Sequence, residues 1–211
     1  LSRFFKTGKG EYGYGDVFLG IKVVPQRKIV KKYSQATLKD LQKLLSSKIH
    51  EERLTSLFIL IDKYKKADEK NKKEVVDFYL KNTKNINNWD LIDLSAGKIL
   101  GNYLLEKDKS ILYKLAKSNS VWERRIAIMS TFEFIRNNKF ESTLKISEML
   151  LEDKHDLVHK AVGWMLREIG KRNQAVEEKF LKKHYKKMPR TMLRYAIERF
   201  DESKRKYYLS K

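Results

Sequence analysis

The stretch DLVHKAVGWMLREIGK, residues 156–171, has apolar residues at helical spacing and no strand-like alternation. It opens at a polar residue, Asp156, and Gly170 closes it, as is typical of helix ends. Beyond the first twenty residues the same spacing recurs, and only two prolines interrupt it. Further helices are predicted near residues 38–45, 54–64, 75–79, 89–105, 109–118, 121–137, 140–152, 174–185 and 189–200. This pattern predicts an all-α protein.

The predicted helices come in pairs that span roughly 35–42 residues and are joined by short polar connections. Such spacing is typical of α-solenoids of the armadillo or HEAT kind, in which helix pairs stack into a curved superhelix. No strict repeat consensus is visible, so a compact irregular helical bundle is the alternative. Residues 1–211 fit one domain, with an N-terminal helix remnant and glycine-rich connection at 1–25 and helical repeats at 26–211.

The chain is strongly basic, with 47 Lys and Arg against 27 Asp and Glu and a formal charge of +20. A hydrophobic fraction of 41% shows that this charge belongs to a folded protein and not to a disordered basic tail. Such a charge favours a polyanionic partner, nucleic acid first and an anionic membrane second. The alternative is a lysine-rich surface that only keeps the protein in solution.

Several classes of protein are excluded by what the sequence lacks. It has no cysteine, which rules out disulfides and thiol chemistry and fits a cytoplasmic location. It has no apolar run of transmembrane length, and its opening LSRFFKTGKG lacks the apolar core of a secretory signal. Without an initiator methionine, the native chain is expected to start earlier. His155 and His159 have the spacing of a metal-binding pair, but no third ligand is visible, so neither metal nor cofactor is expected.

The segment TGKGEYGYGDVFLG, residues 7–20, holds five of the nine glycines. It formally contains a GxGxxG pattern, but no strand precedes it and no Gly-Lys-Ser/Thr follows. A flexible or DNA-contacting connection is therefore expected here instead of a nucleotide site.

The segment NNWDLIDLSAG, residues 87–97, places two carboxylates beside an indole. Asp90 lies in the first helical turn, where a carboxylate interacts favourably with the helix N-terminus, so it is interpreted as a helix-start residue. Asp93 comes four residues after Trp89, on the same helix face and one turn deeper. Asp93 is therefore the better candidate for a carboxylate that faces a ligand.

Aromatic and basic residues recur on later helices. Trp122 and Trp164 lie on alternate predicted helices, and in a solenoid alternate helices share one surface. Ordinary core packing is the alternative for each tryptophan. The basic candidates beside them are Arg124, Arg125, Lys160 and Arg167. A basic surface with aromatic rings suits phosphates and sugars.

Five segments together resemble the AlkD family of DNA alkylation repair enzymes, which are HEAT-like-repeat DNA glycosylases. They are FFKTGKGEYGYGDVFLGIKV, NNWDLID, WERRIAI, KAVGWMLREIGK and MPRTMLRYAIERF. The resemblance runs in order along nearly the whole chain. It implies that Asp93 is the catalytic aspartate, that Trp89 and Trp164 are the groove tryptophans, and that Arg125 is the groove arginine. Arg124 stands next to Arg125, which leaves the choice between the two arginines open.

The resemblance also implies the reaction, which is base excision of N3- or N7-alkylated purines from double-stranded DNA. A monomer is expected for a solenoid that binds DNA in its groove. Arg124, Lys160, Arg167, Arg190 and Arg194 would bind the DNA backbone. Two other functions remain open. One is a non-catalytic DNA-binding relative, and the other is a HEAT scaffold for an acidic protein.

Overall fold

The computed structural model describes residues 4–210, and most of them are helical. The α-helices are α1 Val23–Lys32, α2 Leu38–Leu45, α3 His50–Lys66, α4 Glu69–Lys81, α5 Trp89–Ala96, α6 Asn102–Leu104, α7 Ser110–Ala116, α8 Val121–Ser130, α9 Phe132–Arg136, α10 Glu141–Met149, α11 Asp156–Gly170, α12 Gln174–His184, α13 Arg190–Ala196 and α14 Glu202–Leu209. Short 3₁₀ turns cover Thr83–Asn85 and Ile197–Arg199, and a π-helical turn covers Gly97–Gly101. The chain divides into two compact units, residues 1–95 and 96–211.

The first unit is built around α3, which packs against α1, α2 and α4. Leu54, Leu57 and Leu60 of α3 are almost completely buried, as their helical spacing in the sequence predicts. The neighbouring α2 begins at a capping box, in which the Thr37 hydroxyl and the Asp40 carboxylate each accept a backbone N–H of the other residue. Thr37, and not a residue further upstream, therefore fixes where α2 begins.

The second unit is built around α11, which packs against α8, α12 and α13. Gly163 allows the close approach of α11 and α13, because a β-carbon there would overlap the Met192 carbonyl oxygen and lie 2.5 Å from the β-carbon of Tyr195. Gly101 likewise allows a close approach to the end of α8, because a β-carbon there would overlap the Ser130 carbonyl oxygen. The stretch at 156–170 that predicted the fold is thus the central helix of this unit.

Near the end of α11 lies a buried acid. Glu177 of α12 is 1% exposed, and its carboxylate occupies the space beside Gly170 where a side chain would otherwise project. Burial raises the pKa of Glu177 to about 8, with the charge of neighbouring Glu178 adding to the rise. Glu177 is therefore mostly protonated at neutral pH.

The all-α prediction is confirmed, and most predicted helices lie within a few residues of the observed ones. Three differences have physical causes. The predicted helix 89–105 contains the π-helical turn, and the predicted helix 121–137 is interrupted at Thr131, whose hydroxyl donates to the Ile128 carbonyl. Helix α14 was not predicted, because Glu202–Leu209 is too polar to show a clear apolar stripe.

The N-terminus also differs from expectation. Residues 4–6 form a turn, so the predicted helix remnant is absent from them, while residues 1–3 lie outside the described part of the chain. The α1 helix begins at Val23, three residues before the predicted start of the repeats, and Pro25 lies in its first turn, where proline is tolerated. The glycine-rich segment forms a parallel bridge between Val17 and Ile49.

Candidate functional site

The candidate site in the first unit lies at the start of α5. Trp89 is the first residue of this helix, and Asn88 accepts the Trp89 backbone N–H at 2.8 Å through its side-chain oxygen. Asp93 follows one turn later on the same helix face, and both side chains are half-buried. The predicted pairing of an indole with a carboxylate is therefore present in the helical geometry of α5.

Two fully buried hydroxyl groups, those of Tyr79 and Ser95, lie near Asp93. The Tyr79 hydroxyl lies 3.0 Å from the Ser95 hydroxyl, which donates to the Leu91 carbonyl at 2.5 Å. Burial raises the pKa of Tyr79, and the negative charge of Asp93 raises it further. Tyr79 therefore stays protonated.

Trp89 is held by aromatic residues from the N-terminal segment. Phe5 stacks on the indole with ring centroids 5.4 Å apart, and Phe4 meets it edge-on at 5.6 Å. The indole N–H donates to the Tyr12 hydroxyl at 3.2 Å. The position of Trp89 is thus set by contacts with residues more than seventy positions away in the sequence.

Asp90 does more than begin the helix. Its Oδ1 accepts the Leu91 backbone N–H at 2.8 Å, in keeping with the helix-start interpretation. Its Oδ2, however, lies 2.8 Å from Nε2 of His50, and Asp90 is only 7% exposed. Sequence reasoning missed this partner because forty residues separate the two side chains.

His50 joins two carboxylates in a buried network. Its Nδ1 lies 3.5 Å from Asp16, which also binds the Arg53 guanidinium at 2.8 Å and accepts the Asn88 amide at 3.3 Å. Burial alone would lower the pKa of His50, but its interactions with the carboxylates of Asp16 and Asp90 raise it. Burial would likewise raise the pKa of Asp16, but His50 and Arg53 lower it. Both shifts favour a charged network, and the sequence alone gave no sign of it.

In the second unit, Arg124 is used in an ion pair. Its Nε donates to one carboxylate oxygen of Asp153, and its Nη2 donates to the other at 3.3 Å. Its Nη1 donates to the backbone carbonyls of Ser118 and Asn119, at 3.0 Å each. The charge of Arg124 is therefore compensated, and the side chain ties α8 to the turns on either side.

Arg125 points toward α11. It is 4% exposed, and its Nη1 donates to the Leu157 carbonyl in the first turn of that helix. Of the two arginines, Arg125 is the one directed at the helix that carries Trp164. Whether it also binds a phosphate stays a prediction.

Trp164 is half-buried on α11. Its indole N–H donates to Glu168 at 3.1 Å, and its ring lies 6.2 Å from Phe132. The same Glu168 oxygen binds Lys171 at 2.6 Å. A carboxylate thus fixes the indole of Trp164, as the Tyr12 hydroxyl does for Trp89.

The other basic candidates differ in their partners. Lys160 pairs with Asp156 at 2.6 Å, and Arg167 pairs with Glu198. Arg190 donates to the Leu209 carbonyl at 2.6 Å, which ties α13 to α14. Arg194 is exposed on α13. Among these predicted DNA contacts, Arg190 and Arg194 are exposed, whereas Lys160 and Arg167 are half-buried.

The histidine pair at 155 and 159 has other roles. His155 accepts the Leu157 backbone N–H at 3.2 Å as the N-cap of α11, and His159 contacts the Asp153 carbonyl. Across residues 4–210 no group of three His, Asp or Glu side chains could hold a metal ion. In the same range no helix is long and apolar enough to cross a membrane.

Comparisons with known proteins found one fold match and one family match. A solved structure described as a predicted DNA alkylation repair enzyme from Enterococcus faecalis matches with a TM-score of 0.71 at 14% identity, covering 95% of this chain and 93% of that chain. At this identity the match shows a shared fold. No curated protein matches the sequence. The model of the DNA alkylation repair enzyme family matches residues 1–200. The chain therefore belongs to the family of DNA alkylation repair enzymes.

Proposed function

We propose that the protein is a DNA glycosylase that removes cationic N3- or N7-alkylated purines from double-stranded DNA. The observation that carries this proposal is the pairing of Trp89 and Asp93 one turn apart on α5, with both side chains half-buried. The family supports a role in alkylation repair, and the formal charge of +20 suits a DNA substrate.

In this reaction the protein needs to supply only one carboxylate. The bond from C1′ to the purine nitrogen breaks, and its electron pair neutralises the positive charge of the alkylated base, which leaves without a general acid. Asp93 stabilises the oxocarbenium-like sugar and accepts a proton from the water that adds to C1′. Most sugar hydrolases need a second carboxylate to protonate the leaving group, and this substrate does not.

The aromatic and basic side chains have supporting roles in this proposal. Trp89 packs its indole against the deoxyribose, where an electron-rich ring also favours developing positive charge. Trp164 and Arg125 of the second unit contact the sugar and phosphate of the DNA backbone, and Arg194 adds a phosphate contact without reading sequence.

The test is release of free base from a duplex that contains 7-methylguanine, comparing wild type with Asp93→Asn. We expect the wild type to release the base and Asp93→Asn to lose at least about 100-fold in rate, because the developing cation loses its charge partner. Asp77→Asn is the matched control, since Asp77 lies exposed on α4 and pairs with Lys73.

The other outcomes are also informative. A wild type that binds this duplex but releases nothing would be a non-catalytic DNA-binding relative. Base release that survives in Asp93→Asn would support a glycosylase but would contradict the role proposed for Asp93.

A further inference from the structure

The glycine-rich segment is anchored to the first unit, although its sequence predicts flexibility. We call residues 4–20 the N-terminal strap. Near its end, the Glu51 carboxylate of α3 accepts the backbone N–H groups of Leu19, Gly20 and Ile21 at 3.0, 2.8 and 3.3 Å. Gly20 has φ of +81°, a conformation that other residues adopt only at a cost, so glycine is needed to present this N–H. Glu51 thus fixes one end of the strap.

A second anchor lies at Asp16 and Val17. The Asp16 carboxylate enters the buried network of His50 and Arg53 described above. The backbone of Val17 accepts from the His50 N–H at 2.9 Å and donates to the Lys48 carbonyl at 3.1 Å. Side chain and backbone therefore hold this part of the strap against the start of α3.

Between its first residues and these anchors the strap folds back on itself. The Gly13 N–H donates to the Lys6 carbonyl at 3.1 Å. A β-carbon at Gly13 would lie only 2.5 Å from the Phe5 carbonyl oxygen. The two halves of the folded strap can therefore approach this closely only because residue 13 is a glycine. This fold brings Phe5 and Tyr12 to the same indole, that of Trp89.

The two contacts restrict different motions of Trp89. Stacking on Phe5, with ring planes 19° apart, limits the tilt of the indole but leaves rotation within its own plane. The hydrogen bond from the indole N–H to the Tyr12 hydroxyl fixes that rotation. Phe5 and Tyr12 together therefore define the orientation of the ring.

We propose that Tyr12 is a positioning residue, which holds the Trp89 indole in the orientation that meets the sugar of the damaged nucleotide. This inference rests on the proposed function of Trp89 and Asp93. Tyr12 acts through Trp89 and needs no contact with DNA. The contacts made by Asp16 and Glu51 hold the strap against α3 and so keep Tyr12 beside Trp89. The strap therefore contributes to the site at the start of α5.

The experiment compares Tyr12→Phe with Tyr14→Phe. Both variants lose one hydroxyl from the same strap, but Tyr14 is 66% exposed, whereas the Tyr12 hydroxyl binds the Trp89 indole. Three quantities are measured for each: the single-turnover rate of 7-methylguanine release, the affinity for undamaged duplex, and the indole N–H resonances in a ¹⁵N-labelled protein. Trp164, whose indole N–H binds Glu168, serves as the internal reference among the resonances.

We expect Tyr12→Phe to lower the rate of release about tenfold without changing the affinity for undamaged duplex, because only the orientation of a reacting-site group is lost. The Trp89 indole resonance should shift and exchange faster with solvent, while that of Trp164 stays in place. Tyr14→Phe should match wild type in all three measurements.

Two results would overturn the inference. One is an unchanged Trp89 resonance in Tyr12→Phe, and the other is a shifted resonance with an unchanged rate of release. If the wild type itself releases no base, the proposed glycosylase fails, and the resonance of Trp89 still decides whether Tyr12 holds the indole.

Discussion

At the scale of single residues, environment separates two aspartates that lie three positions apart on one helix. Asp90 is buried and bound to His50, whereas Asp93 is half-buried one turn after Trp89. The first therefore stabilises the charged form of a buried histidine, and the second is the carboxylate that we propose as catalytic. Asp90→Asn would leave His50 with one carboxylate fewer. This substitution should therefore lower the free energy of unfolding and leave the catalytic step unchanged.

A buried acid in the second unit gives a prediction about pH. The pKa of Glu177 is about 8 in the folded protein against 4.5 as its ordinary value, so unfolding releases a proton between these two pH values. Stability should therefore fall as pH rises from about 4.5 to about 8, by up to about 1.4 kcal/mol per pH unit from this group alone. Glu177→Gln cannot ionise and should lack this contribution.

The measurement for Glu177 is the free energy of unfolding in urea at several pH values from 5 to 8. The advantage of Glu177→Gln over wild type should grow with pH, while the exposed control Glu152→Gln should run parallel to wild type. A Glu177→Gln curve that also runs parallel to wild type would show that Glu177 ionises normally.

At the scale of helices, α11 and α13 are closest where Gly163 faces Met192 and Tyr195. Gly163→Ala should destabilise the protein by about 2 kcal/mol or more, because the added methyl group forces the two helices apart. The matched control is Gly97→Ala, where a β-carbon would make an ordinary contact 3.5 Å from the Met129 carbonyl oxygen.

Thermal unfolding of both alanine variants checks this prediction. The melting temperature should fall clearly for Gly163→Ala and change little for Gly97→Ala. Equal melting temperatures would mean that α11 and α13 can separate without loss of packing.

Helices were easier to predict than the site. Apolar spacing locates α11 at 156–170 because one face of it is buried throughout. Trp89 and Asp93 could be paired because four residues on a helix are one turn. The network of Asp16, His50 and Asp90 could not be predicted, since its members come from segments 34 and 40 residues apart and no local pattern signals such contacts.

At the scale of the whole molecule, the formal charge of +20 governs how DNA binding depends on salt. Each phosphate contact that releases a condensed counterion contributes about −0.9 to the slope of log affinity against log salt. Arg194→Gln should reduce the size of this slope by about 1, because Arg194 is exposed on α13.

The control for Arg194 is Arg124→Gln. The charge of Arg124 is compensated by Asp153, so its loss should reduce stability and leave the salt slope nearly unchanged. The slope is measured by titrating an undamaged duplex at several salt concentrations. Equal slopes for Arg194→Gln and wild type would remove Arg194 from the DNA contacts.

The three N–H groups bound by Glu51 have a consequence for hydrogen exchange. Amides of a glycine-rich loop normally exchange with solvent at nearly the unprotected rate, but those of Leu19, Gly20 and Ile21 can exchange only when the strap leaves Glu51. Their protection factors therefore report the free energy of opening this one segment while the helices stay folded. The three amides should open together, as a single cooperative unit.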